Sequence, residues 1–220
     1  VDHEVDVLAL QEVKLPASAL PGFVHRLNAA CVARAVQRRR QHSGFSFRAA
    51  PNTQQVGAAG VMLLFRQALF STGVIELQGD DQADYDWGGR MVAATAQWRG
   101  HNLQLVSVYC PNDPAPRETF LKTTVKAVWE RKPRGTLLLG DWNFVPDPAK
   151  DRRSNGPQPD DGTHGDGASR AALVGAAPGA VDLWRLKHPA RSMFTFFSAA
   201  NGHAARHDRV YGSAALVPHI

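Results

Sequence analysis

The chain has 220 residues, of which 44% are apolar, and it carries a formal net charge of +5 with a pI near 9.6. This length and apolar content suffice for one domain with a substantial core and do not require two. No apolar stretch approaches the roughly 20 residues that span a bilayer, and no signal peptide opens the sequence, so we expect no membrane partner. The sign of the charge suits a polyanionic partner such as nucleic acid, although an ordinary basic protein has the same composition.

The two cysteines, Cys31 and Cys110, lie far apart and show neither CxxC nor Cys/His spacing. This pattern argues against a zinc site and against a disulfide framework, and it fits a reducing, intracellular compartment. Cys110 ends an apolar run, which favours a buried thiol.

Both ends of the chain are abrupt. The residues Val1–Glu4 lead almost at once into an apolar run, and the sequence stops at Val217–Ile220. We therefore expect a single domain over residues 1–220 that is incomplete at its N- and C-termini.

The first half of the chain alternates short apolar runs with turn residues and predicts mainly strands. The predicted strands are Val5–Leu10, Phe45–Ala50, Gly60–Phe65, Val74–Leu77, Met91–Trp98 and Asn102–Tyr109, the last two forming a hairpin. Residues 17–40 are rich in Ala and Arg and predict a helix that is broken near Pro21-Gly22. The acidic run Asp80–Asp86 has no EF-hand spacing, so a solvated hairpin is favoured over a calcium site.

The second half combines one clear amphipathic helix with further strands. Residues 116–131 place an apolar face at helical spacing, made of Phe120, Leu121, Val125, Val128 and Trp129. A strand at 136–140 follows, and the polar residues 147–168 predict a loop. Within it, His164 with Asp160, Asp161 and Asp166 could hold a metal, but a polar loop without a site is favoured. This mixture of elements favours an α/β sandwich over a regular βαβ wheel.

The tetrapeptide Gly140-Asp141-Trp142-Asn143 is the most informative segment, because it delivers two polar side chains to the end of a buried strand. On an extended backbone Asp141 and Asn143 point to the same side. A carboxylate can orient or deprotonate a water, and a neutral amide can hold a phosphate oxygen without repelling it. The pair therefore predicts half of a phosphodiester-cleaving site.

Four other residues carry weaker signals, each with a structural alternative. Glu12 follows a strand and suits Mg²⁺, but it could be an ordinary surface residue. Tyr109 could present its hydroxyl to a reacting group or simply pack. Asp208, between Arg206 and Arg209, could orient a catalytic histidine or form a structural ion pair. Thr195 could contact a phosphate or serve only as a strand residue.

The order of these segments resembles the endonuclease/exonuclease/phosphatase superfamily, and within it the apurinic-type endonuclease domain of non-LTR (LINE-type) retrotransposons. The resemblance runs from Val5 to about Ser213. Its most specific stretch comprises Asp182-Leu183-Trp184-Arg185, His188-Pro189, Phe194-Thr195-Phe196 and Arg206-His207-Asp208-Arg209.

The resemblance implies an α/β fold, a four-layered sandwich of the DNase I type in which two packed mixed sheets are flanked by helices. It implies catalytic roles for Tyr109, Asp141, Asn143 and Asp208. The same resemblance implies that Asn143, Thr195 and Arg206 contact the substrate. It also implies Mg²⁺, or alternatively Mn²⁺, bound by Glu12, Asp141 and Asn143.

The function implied is a metal-dependent, DNA-nicking endonuclease, fused to a reverse transcriptase in its parent protein and acting in the nucleus. The family's Ser-Asp-His segment has no counterpart here, since His219 follows Pro218 rather than Asp, so we expect weak or no activity from these residues alone. Ala205 and His207 also stand where the family has Ser and an aliphatic residue. Two alternatives stay open: a phosphoesterase with another substrate, such as RNA or a phospholipid headgroup, and a degenerate, non-catalytic nucleic-acid-binding remnant.

Overall fold

Strands and helices alternate irregularly along the chain. The structure, a computed structural model, describes residues 5–38, 44–55, 57–73, 75–77, 88–98, 101–131, 135–153, 164–199 and 202–219. The predictions for the acidic run 80–86, for the hairpin turn at 99–100, and for Asp160 and Asp161 lie outside these residues. The chain divides into two compact units between Ser107 and Val108, within one long strand. The prediction of one domain over residues 1–220 stays a prediction.

The first unit is built mainly from antiparallel strands. Its strands are β1 (Val7–Leu10), β2 (Phe45–Ala50), β3 (Val61–Arg66), β4 (Ile75–Leu77), β5 (Met91–Trp98) and β6 (His101–Tyr109), of which β6 ends in the second unit. Its helices are a 3-10 turn (Ala17–Ala19), α1 (Leu20–Gln37) and α2 (Ala68–Ser71). Strand β3 lies between β1 and β2, while β5 lies between β4 and β6. Its central position buries β3 from Val61 to Phe65, each at most 1% exposed.

Helix α1 covers one face of this sheet. Its residues Leu20 and Val24 are buried in a cluster with Phe45, Met62 and Leu64. The predicted break at Pro21-Gly22 is wrong, because the helix begins at Leu20 and Pro21 lies in its first turn. There the missing N–H removes no intrahelical hydrogen bond, so proline is tolerated.

The second unit contains two antiparallel sheets and most of the helices. Its strands are β7 (Thr136–Asp141), β8 (Arg152–Arg153), β9 (Ala180–Asp182), β10 (Phe196–Ser198), β11 (His203–Ala205) and β12 (Asp208–Ser213). Strand β12 lies between β7 and β9, and β11 lies between β10 and β8. Its helices are α3 (Pro114–Phe120), a π-helical turn (Leu121–Val125), α4 (Lys126–Arg131), α5 (Pro148–Asp151), α6 (Asp166–Ala176), α7 (Leu183–Lys187) and a 3-10 helix (Ala214–His219).

The helical prediction for 116–131 is confirmed. All five residues of its apolar face are buried, and the helical stretch 114–131 packs against α6. The predicted loop 147–168 is wrong at both ends, where α5, β8 and the start of α6 form. Those elements depend on a buried carboxylate, Asp166, which accepts hydrogen bonds from the Val145 N–H and the Arg152 guanidinium. Local sequence gives no sign of such partners.

Both cysteines are free thiols, and Cys110 is buried as predicted. Within the described ranges, the helices are too short or too polar to cross a bilayer.

Gly140 permits a close approach of two backbone segments in the second unit. Its φ is +154°, and a Cβ placed there would lie 1.8 Å from the carbonyl oxygen of Val108. No side chain can occupy that space, because the atom in the way belongs to the backbone. The Cys110 N–H, two residues after Val108, donates to the carbonyl of Asp141, the residue after Gly140, over 2.9 Å. The glycine at position 140 therefore allows the backbone next to Asp141 to lie against the backbone of residues 108–110.

We expect Gly140→Ala to lower the free energy of unfolding by about 3 kcal/mol or more, because two backbone segments must separate. Chemical denaturation followed by circular dichroism measures this. The matched control is Gly175→Ala in α6, where a Cβ meets no atom within 4 Å. That variant should be neutral or more stable by about 0.5 kcal/mol. Equal stabilities for the two variants would contradict the steric argument.

Candidate active site

Two carboxylates lie side by side at one end of the β7–β12 ladder. Asp141, the last residue of β7, is directly opposite Asp208, the first residue of β12. Directly opposed residues in an antiparallel pair project to the same face, and like charges there are destabilising. The Trp142 N–H donates to the His207 carbonyl over 3.0 Å and extends the pairing by one step. Fold stability does not explain this juxtaposition of acids, which favours a functional role.

Asn143 is held beside Asp141 by a turn rather than by an extended strand. Its φ is +51°, in the left-handed region that asparagine tolerates better than most residues. Its N–H donates to Asp141 Oδ1 over 2.9 Å, and its Nδ2 donates to the Cys110 carbonyl over 2.8 Å. The premise of an extended backbone is therefore wrong, and the contact with the Asp141 carboxylate is made by the backbone of Asn143. Asn143 retains a second amide hydrogen and its Oδ1 for a ligand.

A buried arginine that sequence reasoning missed fixes this turn. Arg117 is 1% exposed, and its Nη1 donates to the carbonyls of Asn143 and Asn112 over 2.7 and 2.8 Å. Its Nη2 donates to the His164 carbonyl over 2.6 Å, and its Nε donates to Ser169 Oγ over 2.8 Å. Burial lowers the pKa of the guanidinium. No sequence signal identifies this role, because three of the acceptors are carbonyls that any residue supplies.

Tyr109 and Thr195 are each connected to the residues of the candidate site. Tyr109 is connected through its neighbour in the chain, and Thr195 through hydrogen bonds. Tyr109 is a buried residue at the end of β6, directly before Cys110, whose carbonyl holds Asn143. Thr195 Oγ1 accepts hydrogen bonds from the His207 and Asp208 N–H groups over 3.1 and 3.0 Å. It therefore positions the start of β12, and its hydroxyl hydrogen is left for a substrate oxygen or a neighbour.

Arg206 does not lie where a substrate could reach it. It is 2% exposed, its Nε donates to Asp151 over 2.8 Å, and its Nη2 donates to Asp182 over 2.6 Å. Burial by itself lowers the pKa of Arg206, but the hydrogen bonds to these two carboxylates raise it overall. The expectation that Arg206 contacts the substrate is therefore wrong, and Arg206 instead forms a structural ion pair. Breaking a buried ion pair is strongly destabilising, so the guanidinium stays bound to the two carboxylates.

Glu12 belongs to the first unit, where it follows β1 in a strained conformation. Its φ is +53°, its side chain is exposed, and Lys14 Nζ lies 2.6 Å from its Oε2. A positive φ is uncommon outside glycine and is found preferentially at functional sites. The structure thus places Glu12 in an unusual loop, while Tyr109, Asp141, Asn143 and Asp208 belong to the second unit.

The oxygen donors at the β7–β12 end suit a hard divalent cation. Mg²⁺ is commonly bound through one or two carboxylates, with waters and substrate phosphate oxygens completing its shell. Asp141 and Asp208 provide two carboxylates, and Asn143 provides an amide oxygen. The described residues contain no group of three or more His, Cys, Asp or Glu side chains arranged to hold a metal ion. The donor set therefore fits Mg²⁺ held with much of its water and does not fit a closed structural zinc site.

A histidine next to Asp208 remains neutral. The His207 ring stacks on Phe196, with centroids 5.2 Å apart and planes 16° apart. Burial, followed by the positive charges of Arg209, Arg152 and Arg117, lowers the pKa of His207 to about 3. It is therefore uncharged near pH 7 and contributes an aromatic, hydrogen-bonding surface rather than a cation.

This low pKa predicts a specific dependence of stability on pH. Unfolding restores an ordinary histidine pKa near 6.5, so between pH 6.5 and 3 the unfolded chain binds a proton that the folded chain does not. The contribution is fully present above pH 6.5 and is lost as the pH falls. From pH 7 to 5 the wild type should lose up to about 2 kcal/mol more unfolding free energy than His207→Gln. Urea titrations at both pH values measure this, and identical losses in the two proteins would contradict it.

Solved structures with the same fold include several nucleases. The structure is similar to an AP endonuclease from Leishmania major, with a TM-score of 0.70 and 17% identity over 97% of this chain and 71% of that one. It is similar to the endonuclease domain of TRAS1, a telomere-specific non-LTR retrotransposon, with a TM-score of 0.54 and 16% identity over 87% and 81%. It is also similar to D. rerio TDP2 complexed with a single-strand DNA product, with a TM-score of 0.55 and 17% identity over 95% and 72%. These similarities confirm the predicted α/β, DNase I-like fold class.

The sequence itself matches a family across almost its whole length. The family model described as "Endonuclease/Exonuclease/phosphatase family" covers residues 1–219. This match confirms the resemblance inferred from the Gly140–Asn143 segment and the motifs around it. The chain therefore belongs to the endonuclease/exonuclease/phosphatase family, a superfamily of hydrolytic nucleases and phosphodiesterases.

Proposed function

We propose that this chain forms the site of a divalent-metal-dependent phosphodiester hydrolase that nicks DNA. The observation that carries the proposal is the direct pairing of Asp141 with Asp208, with Asn143 locked beside Asp141 in a left-handed turn. Two directly opposed acids do not stabilise the fold. Together with a positioned amide they are well suited to binding and hydrolysing a phosphate ester. The net charge of +5 supports a polyanionic substrate.

The residues divide the chemistry among themselves. The Asp141 carboxylate orients a water for in-line attack and accepts its proton. The free amide hydrogen of Asn143 donates to a non-bridging phosphate oxygen, and Arg117 keeps that amide in place through the Asn143 carbonyl. Tyr109 stabilises the phosphate or the leaving group. Asp208 orients an imidazole that acts with Asp141, as a triad aspartate does. A divalent cation would neutralise charge at the phosphate, and the family resemblance assigns Glu12, Asp141 and Asn143 as its ligands.

We further propose that the nick serves a retrotransposon, in which it primes reverse transcription by a fused domain. The segment from Asp182 to Arg209 carries the most specific sequence resemblance to such endonucleases. The structural similarity to the TRAS1 endonuclease domain also supports this proposal.

A non-catalytic nucleic-acid-binding module is the second candidate. Within the described ranges, no histidine side chain is hydrogen-bonded to the Asp208 carboxylate, and the adjacent His207 is neutral and stacked on Phe196. A site that lacks its imidazole would bind the substrate and cleave it slowly.

We expect Asp141→Asn to slow DNA nicking by on the order of 100-fold or more, because general-base catalysis contributes that much. The assay is conversion of supercoiled plasmid to open circles in Mg²⁺, with protein in excess so that slow turnover remains measurable. Asp147→Asn is the matched control, since Asp147 pairs with Lys150 on the surface at 3.5 Å. EDTA should abolish the activity of every variant. Equal nicking by wild type and Asp141→Asn would overturn the proposed function.

The role of Asp208 predicts a response to added imidazole. If Asp208 orients an imidazole, free imidazole should accelerate nicking by the wild type in a saturable way. In Asp208→Asn the acceleration should fall by on the order of tenfold, because the oriented tautomer is lost. Dependence of the rate on imidazole concentration, at constant pH and ionic strength, gives the comparison. An equal response in both proteins would show that Asp208 does not act through an imidazole.

A further inference from the structure

A cavity in the second unit extends from Asn143 into a basic, histidine-rich recess. Its volume is about 290 Å³, close to the lower end of the range for small-molecule sites. Its lining includes Asn112, Asn143, Arg152, His164, His203 and His207. None of the described residues that line it is acidic. Over the part of the chain that the structure describes, the cavity therefore combines hydrogen-bond donors and positive charge.

Two nitrogens in this lining are buried without a partner. Arg152 is 9% exposed and donates through Nη2 to Asp166 over 2.7 Å, but its Nε has no hydrogen-bond partner among the described residues. Within the same part of the chain, His164 Nε2 is also buried and unpartnered. A buried N–H without an acceptor is destabilising by about 1–3 kcal/mol, so each is an indication of a ligand that the protein alone does not provide.

The structure holds these nitrogens near the reacting end of the site. Arg117 donates through its two terminal nitrogens to the carbonyls of Asn143 and His164, so one guanidinium fixes both backbone segments. Strand β8 places Arg152 opposite Ala205 of β11, two residues before His207. Arg117 thereby holds the backbone of His164, and Asp166 holds the guanidinium of Arg152, without any contribution from a ligand.

The surrounding charges favour an anion. The pKa of His164 is lowered first by burial and then by Arg152, and only Asp166, among its main influences, raises it. The same positive charge from Arg152 contributes to the low pKa of His207. Cations are disfavoured in such a recess, whereas a compact anion with several acceptor oxygens meets donors on more than one side.

We propose that this cavity binds a phosphate group, whose oxygens accept hydrogen bonds from Arg152 Nε and from His164 Nε2. In a nucleic-acid substrate it is the phosphate next to the one that reacts at Asn143, an assignment that rests on the proposed function. The binding of phosphate itself does not rest on it, because no residue involved carries out the hydrolysis.

The test is a titration of the metal-free chain with inorganic phosphate at pH 6.5, in EDTA and at constant ionic strength, followed by NMR. We expect saturable shifts of the His164 ring and Arg152 Nε–H resonances, which chloride does not produce. His164→Phe removes the donor while keeping a planar ring, and it should weaken phosphate binding at least fivefold. His188→Phe is the matched control, since His188 packs on Trp184 with centroids 5.1 Å apart, and its affinity should stay within twofold of wild type.

A second variant, Arg152→Lys, keeps the charge beside Asp166 but removes Nε–H, and it should weaken phosphate binding to a similar extent. A short single-stranded oligodeoxynucleotide should displace the inorganic phosphate, which identifies a nucleic-acid phosphate as the source. Phosphate that stays bound in its presence would assign the cavity to free phosphate instead and overturn the substrate assignment. Shifts no larger than those with chloride, or wild-type affinity in both variants, would overturn the site. If phosphate binds and Asp141→Asn nicks DNA as fast as the wild type, the proposed catalytic role of Asp141 is wrong but the phosphate site in the cavity is supported.

Discussion

The buried guanidinium of Arg117 joins the segments on which the candidate site depends. It donates to backbone carbonyls of Asn112, Asn143 and His164 and to the Ser169 hydroxyl, so that two loops and the start of α6 meet at one side chain. A planar group with five fixed donors can satisfy several carbonyls at once, which an ammonium cannot do with the same geometry. Removing it would leave several buried carbonyls without donors, and each such loss is costly.

Buried ion pairs inside the second unit hold the elements that surround Arg117. Arg206 binds Asp151 and Asp182, and Arg152 binds Asp166, with every one of these side chains largely withdrawn from water. Breaking a buried pair by removing one partner typically destabilises a protein by about 3–5 kcal/mol. These pairs also specify one arrangement of short elements that have little apolar surface of their own. Arg152 and Arg206 are thus explained by structural ion pairs, whereas the paired acids Asp141 and Asp208 are not.

Backbone strain coincides with the residues to which chemistry is assigned. Glu12 and Asn143 both have positive φ values, as do Lys14 and Ala59 among the described non-glycine residues. Glu12 and Lys14 lie in one short loop, and the Lys14 N–H donates to the Ala59 carbonyl over 2.9 Å. Such conformations persist where surrounding contacts over-determine them, and they present polar side chains at fixed angles. In each unit one such residue, Glu12 or Asn143, follows the end of a strand and carries a polar side chain.

The sequence by itself determined the strands of the first half of the chain and β7, the amphipathic helix before β7, and the family, because these rest on periodicity and on ordered motifs along the chain. It also identified Asp141 and Asn143, whose proximity is local. Only the tertiary structure decided that Asp208 faces Asp141, that Arg206 is enclosed by carboxylates, and that Arg117 holds the Asn143 turn. Those contacts join residues tens of positions apart, and their partners are often backbone carbonyls, which carry no signature of residue type. The cavity next to Asn143 could not be predicted from the sequence for the same reason. Arg152 and His164, which line it, lie in a segment whose composition predicts only a polar loop.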